Sequence, residues 1–270
     1  FLDWVLKLDE VDSLIQENSS KKDMEFAKGI LDSLDIHAVT AEKELENIPK
    51  EGAVIIACNH PMGITDGVIL DAIMKVRSDI SVLGMEFVSA LTNNMDNELI
   101  PVNKMIASNE RNKEEIFERA SQALKDGKVL LIMGSGTGAN KKNLGTTGKP
   151  VDGKWKTGVT HFALEQNVQI VPAYIEGEND WWYYLIRALS KKASMFFYLR
   201  QFLKKSGQRF PIRFGKEIRP KVIHMWKTKI EDEIQNNLHP ELDTPEKRKK
   251  YPYYAIAQKI RDRVFALADK

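Results

Sequence analysis

A histidine and an aspartate six residues apart are the side chains of this sequence best suited to chemistry. His60 follows an apolar run at residues 53–57, and Asp66 stands at the start of the next apolar-periodic stretch. Imidazole has an unperturbed pKa of about 6.5, so it can take a proton from an alcohol near neutral pH. A neighbouring carboxylate would fix the tautomer of the ring and stabilise the imidazolium that forms. The pair predicts activation of a substrate hydroxyl, with His60 as the base and Asp66 as its partner.

The same stretch also suits an ordinary turn. Proline, glycine, threonine and aspartate are common between a strand and a helix, where they form turns and cap helix N-termini. In that interpretation His60 ends a strand, and Asp66 caps or charges the start of the next helix. The spacing alone leaves both interpretations open.

Apolar runs alternate with helical periodicity along most of the chain. Strands are predicted at residues 53–58, 80–84, 99–102, 128–133, 169–175 and 211–214. Helices are predicted at residues 1–18, 22–34, 65–76, 86–91, 109–125, 157–166, 181–205, 221–237 and 245–268. This order predicts an α/β fold with a central, mostly parallel sheet flanked by helices. We expect residues 1–47 to form an N-terminal helical appendage and residues 48–270 to form the α/β domain with its C-terminal helices.

The charge balance argues against nucleic acid as a partner. The 270 residues include 40 Lys and Arg and 38 Asp and Glu, which gives a net charge of +2. Residues 181–216 nevertheless carry nine Lys or Arg and no acidic residue. Aromatic residues are mixed with these cations over 181–205, as in helices that lie at a membrane surface. We therefore expect this segment to dock on a membrane or to line an acyl-chain tunnel.

The single cysteine, Cys58, excludes an internal disulfide and fits a reducing compartment. At the end of a buried strand it is expected to be a small apolar filler rather than a nucleophile. No run approaches the about 18 apolar residues of a transmembrane helix, and no signal peptide is visible. The expected location is cytoplasmic and peripheral, on the inner face of a membrane.

Four segments, in chain order, resemble the sequence blocks of the lysophospholipid and glycerol-phosphate acyltransferase family. Asn-His-Pro-Met-Gly-Ile-Thr-Asp-Gly at 59–67 resembles the first block, in the form of a bacterial branch with one additional residue between histidine and aspartate. The others are Leu-Ile-Pro-Val-Asn-Lys at 99–104, Gly-Lys-Trp-Lys-Thr-Gly-Val at 153–159 and Ile-Val-Pro-Ala-Tyr-Ile at 170–175. The resemblance implies transfer of a fatty acyl group from acyl-CoA, or from acyl carrier protein (acyl-ACP), to a hydroxyl or amine of a glycerol-phosphate-like or lysolipid acceptor. It implies no metal and no cofactor.

The third block departs from the family pattern. This chain has Met-Gly-Ser-Gly-Thr-Gly at 133–138, so Ser135 stands where the family has glutamate and Gly138 where it has arginine. In the family those two residues help to hold the acceptor, often by its phosphate. Their absence counts against glycerol 3-phosphate as the acceptor. The resemblance implies acceptor or donor contacts at Asn59, Gly63, Lys104, Ser135, Gly136, Thr137 and Lys156.

Two other functions remain open at this point. The altered third block would suit a lipid-binding or membrane-surface protein that has lost catalysis. Alternatively, the glycines at 134–138 follow a strand, as in loops that bind a nucleotide or S-adenosylmethionine. Such loops open directly into a helix, whereas nearly twenty polar residues follow here.

Overall fold

The structure, a computed structural model, describes residues 7–85, 88, 92–102, 110–141 and 149–269. Within these residues seven strands form one sheet in the order β1-β7-β6-β2-β5-β3-β4. They are β1 His37–Val39, β2 Val54–Cys58, β3 Ile80–Met85, β4 Leu99–Val102, β5 Val129–Met133, β6 Gln169–Ile175 and β7 Arg209–Phe214. Strands β6, β2, β5, β3 and β4 are parallel to one another, β7 is antiparallel to β6, and β1 is parallel to β7.

Helices flank this sheet on both faces, which confirms the predicted α/β fold. In chain order they are α1 Leu8–Glu17, α2 Asp23–Ser33, α3 Glu42–Leu45, α4 Ile69–Ile73, α5 Glu110–Lys125, α6 Gly158–Glu165, α7 Trp181–Leu189, α8 Lys191–Phe196, α9 Tyr198–Leu203, α10 Pro220–Gln235 and α11 Pro245–Phe265. A 3-10 helix, Gly63–Val68, precedes α4. Among the described residues, no helix combines the length and the apolar character needed to cross a bilayer.

The central strands are apolar on both faces because each face is covered. Ile55 and Ala57 of β2 belong to a core shared with α5, α6, α10 and α11. Val54, Ile56 and Cys58 alternate with them and belong to the opposite core, shared with α2, α4 and α9. The N-terminal helices therefore contribute to one of the two main cores, and β1 extends the sheet. The domain boundary expected after residue 47 stays a prediction.

Two predicted helices differ from the sequence expectation. The helix expected over 65–76 begins as a 3-10 helix and ends at Ile73. The helix expected over 181–205 is divided into α7, α8 and α9. Ser190 is extended at the first break, and its hydroxyl accepts a hydrogen bond from the backbone of Ala193. A serine in this position is an N-cap, which starts a new helix. The helix predicted at 86–91 lies outside the described residues except for Val88.

Arg77 fixes the amino ends of the central strands. Its guanidinium is buried and donates to the backbone carbonyls of Pro49, Gly52 and Gly127 at 2.7–3.1 Å. It also binds both carboxylate oxygens of Asp79 at 2.6 and 2.7 Å. These partners lie just before β2, β3 and β5, at the edge of the sheet opposite to the one that carries His60.

Replacing Arg77 with leucine should lower the free energy of unfolding by about 3 kcal/mol, because buried carbonyls would lose their donor. The measurement is urea denaturation followed by circular dichroism. Lys28→Ala is the control, since it removes only an exposed ion pair with Asp32 and should cost less than about 1 kcal/mol. Similar losses in the two variants would contradict the role of Arg77.

Candidate active site

His60 and Asp66 meet at the carboxyl edge of the sheet, just after β2. Nδ1 of His60 lies 2.7 Å from Oδ2 of Asp66. The histidine is 8% exposed, and the aspartate is fully buried. A carboxylate only accepts hydrogen bonds, so Nδ1 carries the proton and Nε2 is left as the proton acceptor. The catalytic roles of the two residues stay predictions, and the geometry that those roles require is present.

The turn that carries His60 is built around the Asp66 carboxylate. The backbone N–H groups of Met62 and Gly63 donate to it at 3.0–3.1 Å. Gly63 has a φ of +82°, and a Cβ there would lie 2.2 Å from the ring of Tyr198, so glycine is required. Burial raises the pKa of the Asp66 carboxyl, whereas the hydrogen bonds from His60, Met62 and Gly63 oppose that rise. The three donor groups favour the ionised form of the carboxyl.

A second buried carboxylate, that of Asp152, holds the backbone of His60. Its Oδ1 accepts from the His60 N–H at 3.0 Å, and its Oδ2 accepts from the indole N–H of Trp155 at 3.0 Å. Burial raises the pKa of Asp152, and the two donors oppose that rise. Sequence reasoning missed this residue. The available signal was that Asp152 is the single acidic residue between the strand predicted at 128–133 and the helix predicted at 157–166.

Trp155 connects the C-terminal helix to the site. Its ring is buried against Gly134, where a Cβ would lie 2.1 Å from ring atoms. The side chain of Gln258 in α11 bonds both the N–H and the carbonyl of Trp155, at 3.2 and 3.0 Å. Arg261 of the same helix donates to the backbone carbonyl of Asp152 at 3.0 Å. Helix α11 therefore fixes the segment that in turn fixes His60.

A mainly apolar cavity of about 490 Å³ opens beside His60. Gly63, Gly134 and Gly136 also line it, so the backbone of the site forms part of its wall. Apart from His60, the ionisable residues among the described lining are Lys113 and Lys156. Apolar side chains from both cores complete the wall, among them Phe26, Ile30, Leu70, Val82, Phe117, Phe162 and Phe202.

The other predicted contact residues, those of the glycine loop and Lys156, differ in whether they line this cavity. Gly136, with a φ of +60°, and the exposed Lys156 both line it. Ser135 is buried, and its hydroxyl donates to the carbonyl of Thr137 at 2.6 Å. Thr137 itself is exposed. The predicted roles of these four residues in holding a substrate stay predictions.

Both polar groups of the Asn59 side chain form hydrogen bonds with the neighbouring strand β6. Its amide donates to the carbonyl of Ile175 at 2.9 Å, and its amide oxygen accepts from the Ile175 N–H at 2.7 Å. These bonds tie the ends of β2 and β6 together directly beside His60. Its predicted contact with a substrate stays a prediction. Lys104 lies outside the described residues.

The glycine loop after β5 is tied into the same site. The N–H of Gly134 donates to the carbonyl of Cys58 at 3.0 Å, and the N–H of Ala139 donates to the carbonyl of His60 at 2.7 Å. The N–H of Gly136 donates to the backbone carbonyl of Met133 at 2.9 Å. Amides already used in this way are not available to cradle a phosphate, and the next described helix begins only at Gly158. The loop is therefore a poor match to a nucleotide-binding loop.

Arg187 of α7 is a second residue that sequence reasoning missed. It is buried, and it donates to the carbonyl of Gly138 at 2.5 Å and to Oδ1 of Asn140 at 2.6 Å. The positively charged guanidinium of Arg187 therefore lies beside residue 138, although the glycine at that position has no side chain of its own. The acid-free stretch from residue 181 drew attention to the segment but not to this residue.

The thiol of Cys58 is poorly suited to act as a nucleophile. The Cys58 thiol is buried, and burial raises its pKa well above the ordinary value, so the thiol stays protonated near neutral pH. No group of three or more His, Cys, Asp or Glu side chains suited to a metal ion occurs in the part of the chain that the structure describes.

Replacing Gly134 with alanine should disturb the site, because the added methyl group overlaps the buried ring of Trp155. The expected loss in free energy of unfolding is about 1–3 kcal/mol. Gly153→Ala is the matched control, since nothing lies within 4 Å of a Cβ there, and its effect should stay within about 0.5 kcal/mol. Equal urea midpoints for the two variants would refute the contact between Gly134 and Trp155.

Three comparisons with known proteins bear on this site. A family model described as Acyltransferase matches residues 40–176, about half of the chain. A lyso-glycine lipid O-acyltransferase from Bacteroides thetaiotaomicron is 24% identical over 224 residues, which cover 81% of this chain and 79% of the relative. A protein of the same name from Phocaeicola vulgatus is 26% identical over 227 residues, which cover 81% of this chain and 77% of the relative.

Among solved structures, the crystal structure of the 1-acyl-sn-glycerophosphate acyltransferase from Thermotoga maritima aligns with a TM-score of 0.42 and 13% identity. The alignment covers 96% of this chain and 90% of that one. The family match spans β2, the turn with His60 and Asp66, the glycine loop after β5, and β6. The chain therefore belongs to the acyltransferase family and is an enzyme of lipid metabolism that transfers acyl groups.

Proposed function

We propose that this enzyme moves a fatty acyl group from an acyl thioester to the hydroxyl of a lysolipid, with His60 as the general base. The observation that carries the proposal is the buried pair of His60 and Asp66, 2.7 Å apart, on the wall of a mainly apolar cavity. The pair supplies a proton acceptor, and the cavity supplies a water-poor space for an acyl chain.

In the proposed step, Nε2 of His60 takes the proton of the acceptor hydroxyl as its oxygen attacks the thioester carbonyl carbon. A carbon–oxygen bond forms and the carbonyl oxygen becomes an oxyanion. When this intermediate collapses, the carbon–sulfur bond breaks, and the thiol leaves with the proton that His60 had taken. The ester and the free thiol are the products, and the histidine returns to its neutral form.

Asp66 and Asp152 assist that step in different ways. Asp66 holds the Nδ1 proton, which keeps the ring in the tautomer that exposes Nε2 as acceptor. Asp152 holds the backbone N–H of His60. Because both carboxylates lie close to the histidine, the positive charge that develops on the ring is stabilised from two sides.

The acceptor we propose is a lyso-glycine lipid, and the donor is acyl-CoA or acyl-ACP. The two curated relatives named above are lyso-glycine lipid O-acyltransferases, which supports an acceptor hydroxyl on such a lipid. The third block supports it as well, since Ser135 and Gly138 lack the charges that the family pattern has there. The lipid acceptor implies work at a membrane surface, and we propose the cytoplasmic face. No cofactor is needed for the proposed step.

The test is an acyl-transfer assay with purified protein, acyl-CoA or acyl-ACP, and three acceptors: lyso-glycine lipid, lysophosphatidic acid and glycerol 3-phosphate. We expect turnover with the first and little with glycerol 3-phosphate. His60→Ala should reduce kcat/KM about 100- to 10,000-fold, because it removes the base. Asp66→Asn should reduce it at least about 100-fold, because it removes the carboxylate that fixes the tautomer of the ring. His224→Ala, at an exposed histidine of α10, is the matched control and should keep the wild-type rate.

The comparison of wild type with His60→Ala also tests whether the protein is an enzyme at all. Equal background rates for wild type and His60→Ala with all acceptors and donors would instead favour the alternative, a lipid-binding protein without catalysis.

A further inference from the structure

Helix α7 presents its apolar side to solvent and its polar side to the protein. The exposed residues include Trp181, Leu185 and Leu189, which are 74%, 41% and 83% exposed and lie at i, i+4 and i+8. The buried positions are Tyr183, Tyr184 and Arg187, which face the protein. A surface helix of a soluble protein normally has the opposite arrangement. The outward face of α7 is therefore an exposed apolar surface.

The hydrogen bonds of the buried Arg187 hold α7 in this orientation. Arg187 is the only charged residue of α7, and it donates to Gly138 and Asn140. Its Nη1 also lies 3.4 Å from the hydroxyl of Tyr198. A rotation of the helix that buried the leucines would break these bonds and leave the loop after β5 without its donor.

The neighbouring helices add aromatic and basic groups to this face. Phe196, at the end of α8, is 56% exposed. Arg200 of α9 lies over the ring of Trp182 at 6.0 Å. No acidic residue occurs between residues 181 and 216. Of the acidic residues that precede the segment, Asp180 is paired with Lys204 and Glu178 with Lys141.

The face also borders the active site. The ring of Tyr198 in α9 packs on Gly63, in the turn that carries Asp66. Phe202 of the same helix lines the cavity beside His60. A partner seated on α7–α9 would therefore lie close to the cavity beside His60.

We propose that the outer face of α7–α9, formed by Trp181, Leu185, Leu189 and Phe196, docks on the surface of a lipid bilayer with anionic headgroups. This rests on the proposed function, in which the acceptor is a lipid. Aromatic and aliphatic side chains bury at the headgroup boundary, and an acid-free basic segment is attracted to anionic lipid. Leu238, 66% exposed, lies outside the segment and is a single exposed apolar residue of the ordinary kind.

The test compares Leu185→Asp and Leu189→Asp with Leu238→Asp, a matched change at a similarly exposed leucine. Binding is measured by co-sedimentation with phosphatidylcholine vesicles, with and without phosphatidylglycerol, at low and high salt. Each change on α7 should weaken binding to the anionic vesicles about tenfold or more, and Leu238→Asp should bind like wild type. Trp181 should show a blue-shifted emission on binding, obtained as the difference between wild type and Trp181→Phe.

Measurements of turnover distinguish a failure of the docking proposal from a failure of the proposed function. With a short-chain acceptor dispersed in water, Leu185→Asp and Leu189→Asp should keep wild-type turnover, and with acceptor embedded in vesicles they should lose most of it. Vesicle binding that is unchanged in both variants would overturn the docking proposal, even if turnover is normal. A change of oligomeric state on gel filtration without a change in vesicle binding would also overturn it, since the face would then join copies of the chain. Leucine-dependent vesicle binding by a wild-type protein that transfers no acyl group would sustain docking and defeat the proposed function.

Discussion

The Asp66 carboxylate is fully buried, and the structure around His60 follows from the need to satisfy it. A buried ionised carboxylate is costly unless donors surround it. The donors here are the Nδ1–H of His60 and the backbone N–H groups of Met62 and Gly63. To bring two successive amides onto one carboxylate the chain must turn sharply, which requires the positive φ of Gly63. The same bonds that stabilise the charge therefore fix the tautomer and the position of the ring.

That turn is supported by elements far apart in the sequence. Asp152 reaches it from the loop after β5, and α11 holds Asp152 and Trp155 through Arg261 and Gln258. Helix α9 closes its other side with the ring of Tyr198. Because the parallel strands all end at this edge, contacts from each of these elements meet at the turn that carries His60. Positioning at the site is thus a property of the whole α/β domain rather than of one motif.

The sequence predicted the framework well, for a physical reason. Strands buried on both faces are continuous apolar runs, so β2, β4, β5 and β6 were located within a residue or two. The pair His60 and Asp66 was identified because both residues lie in one short segment. Strand β1 was missed, since its three residues give too short a pattern. Asp152 and Arg187 were missed because they contact the site only through tertiary packing, at separations of 92 and 49 residues from His60 and Gly138.

The packing around Gly138 leaves little room for the arginine of the family pattern. A Cβ at Gly138 would lie 2.7 Å from the hydroxyl of Tyr198, and the Tyr198 ring is itself held against Gly63. The carbonyl of Gly138 is bound by Arg187. An arginine at residue 138 would have to displace the hydroxyl of Tyr198 and share the space beside the Gly138 carbonyl with Arg187. The glycine is therefore part of the packing that supports the His60 turn, and the positive charge beside residue 138 comes from Arg187 in α7.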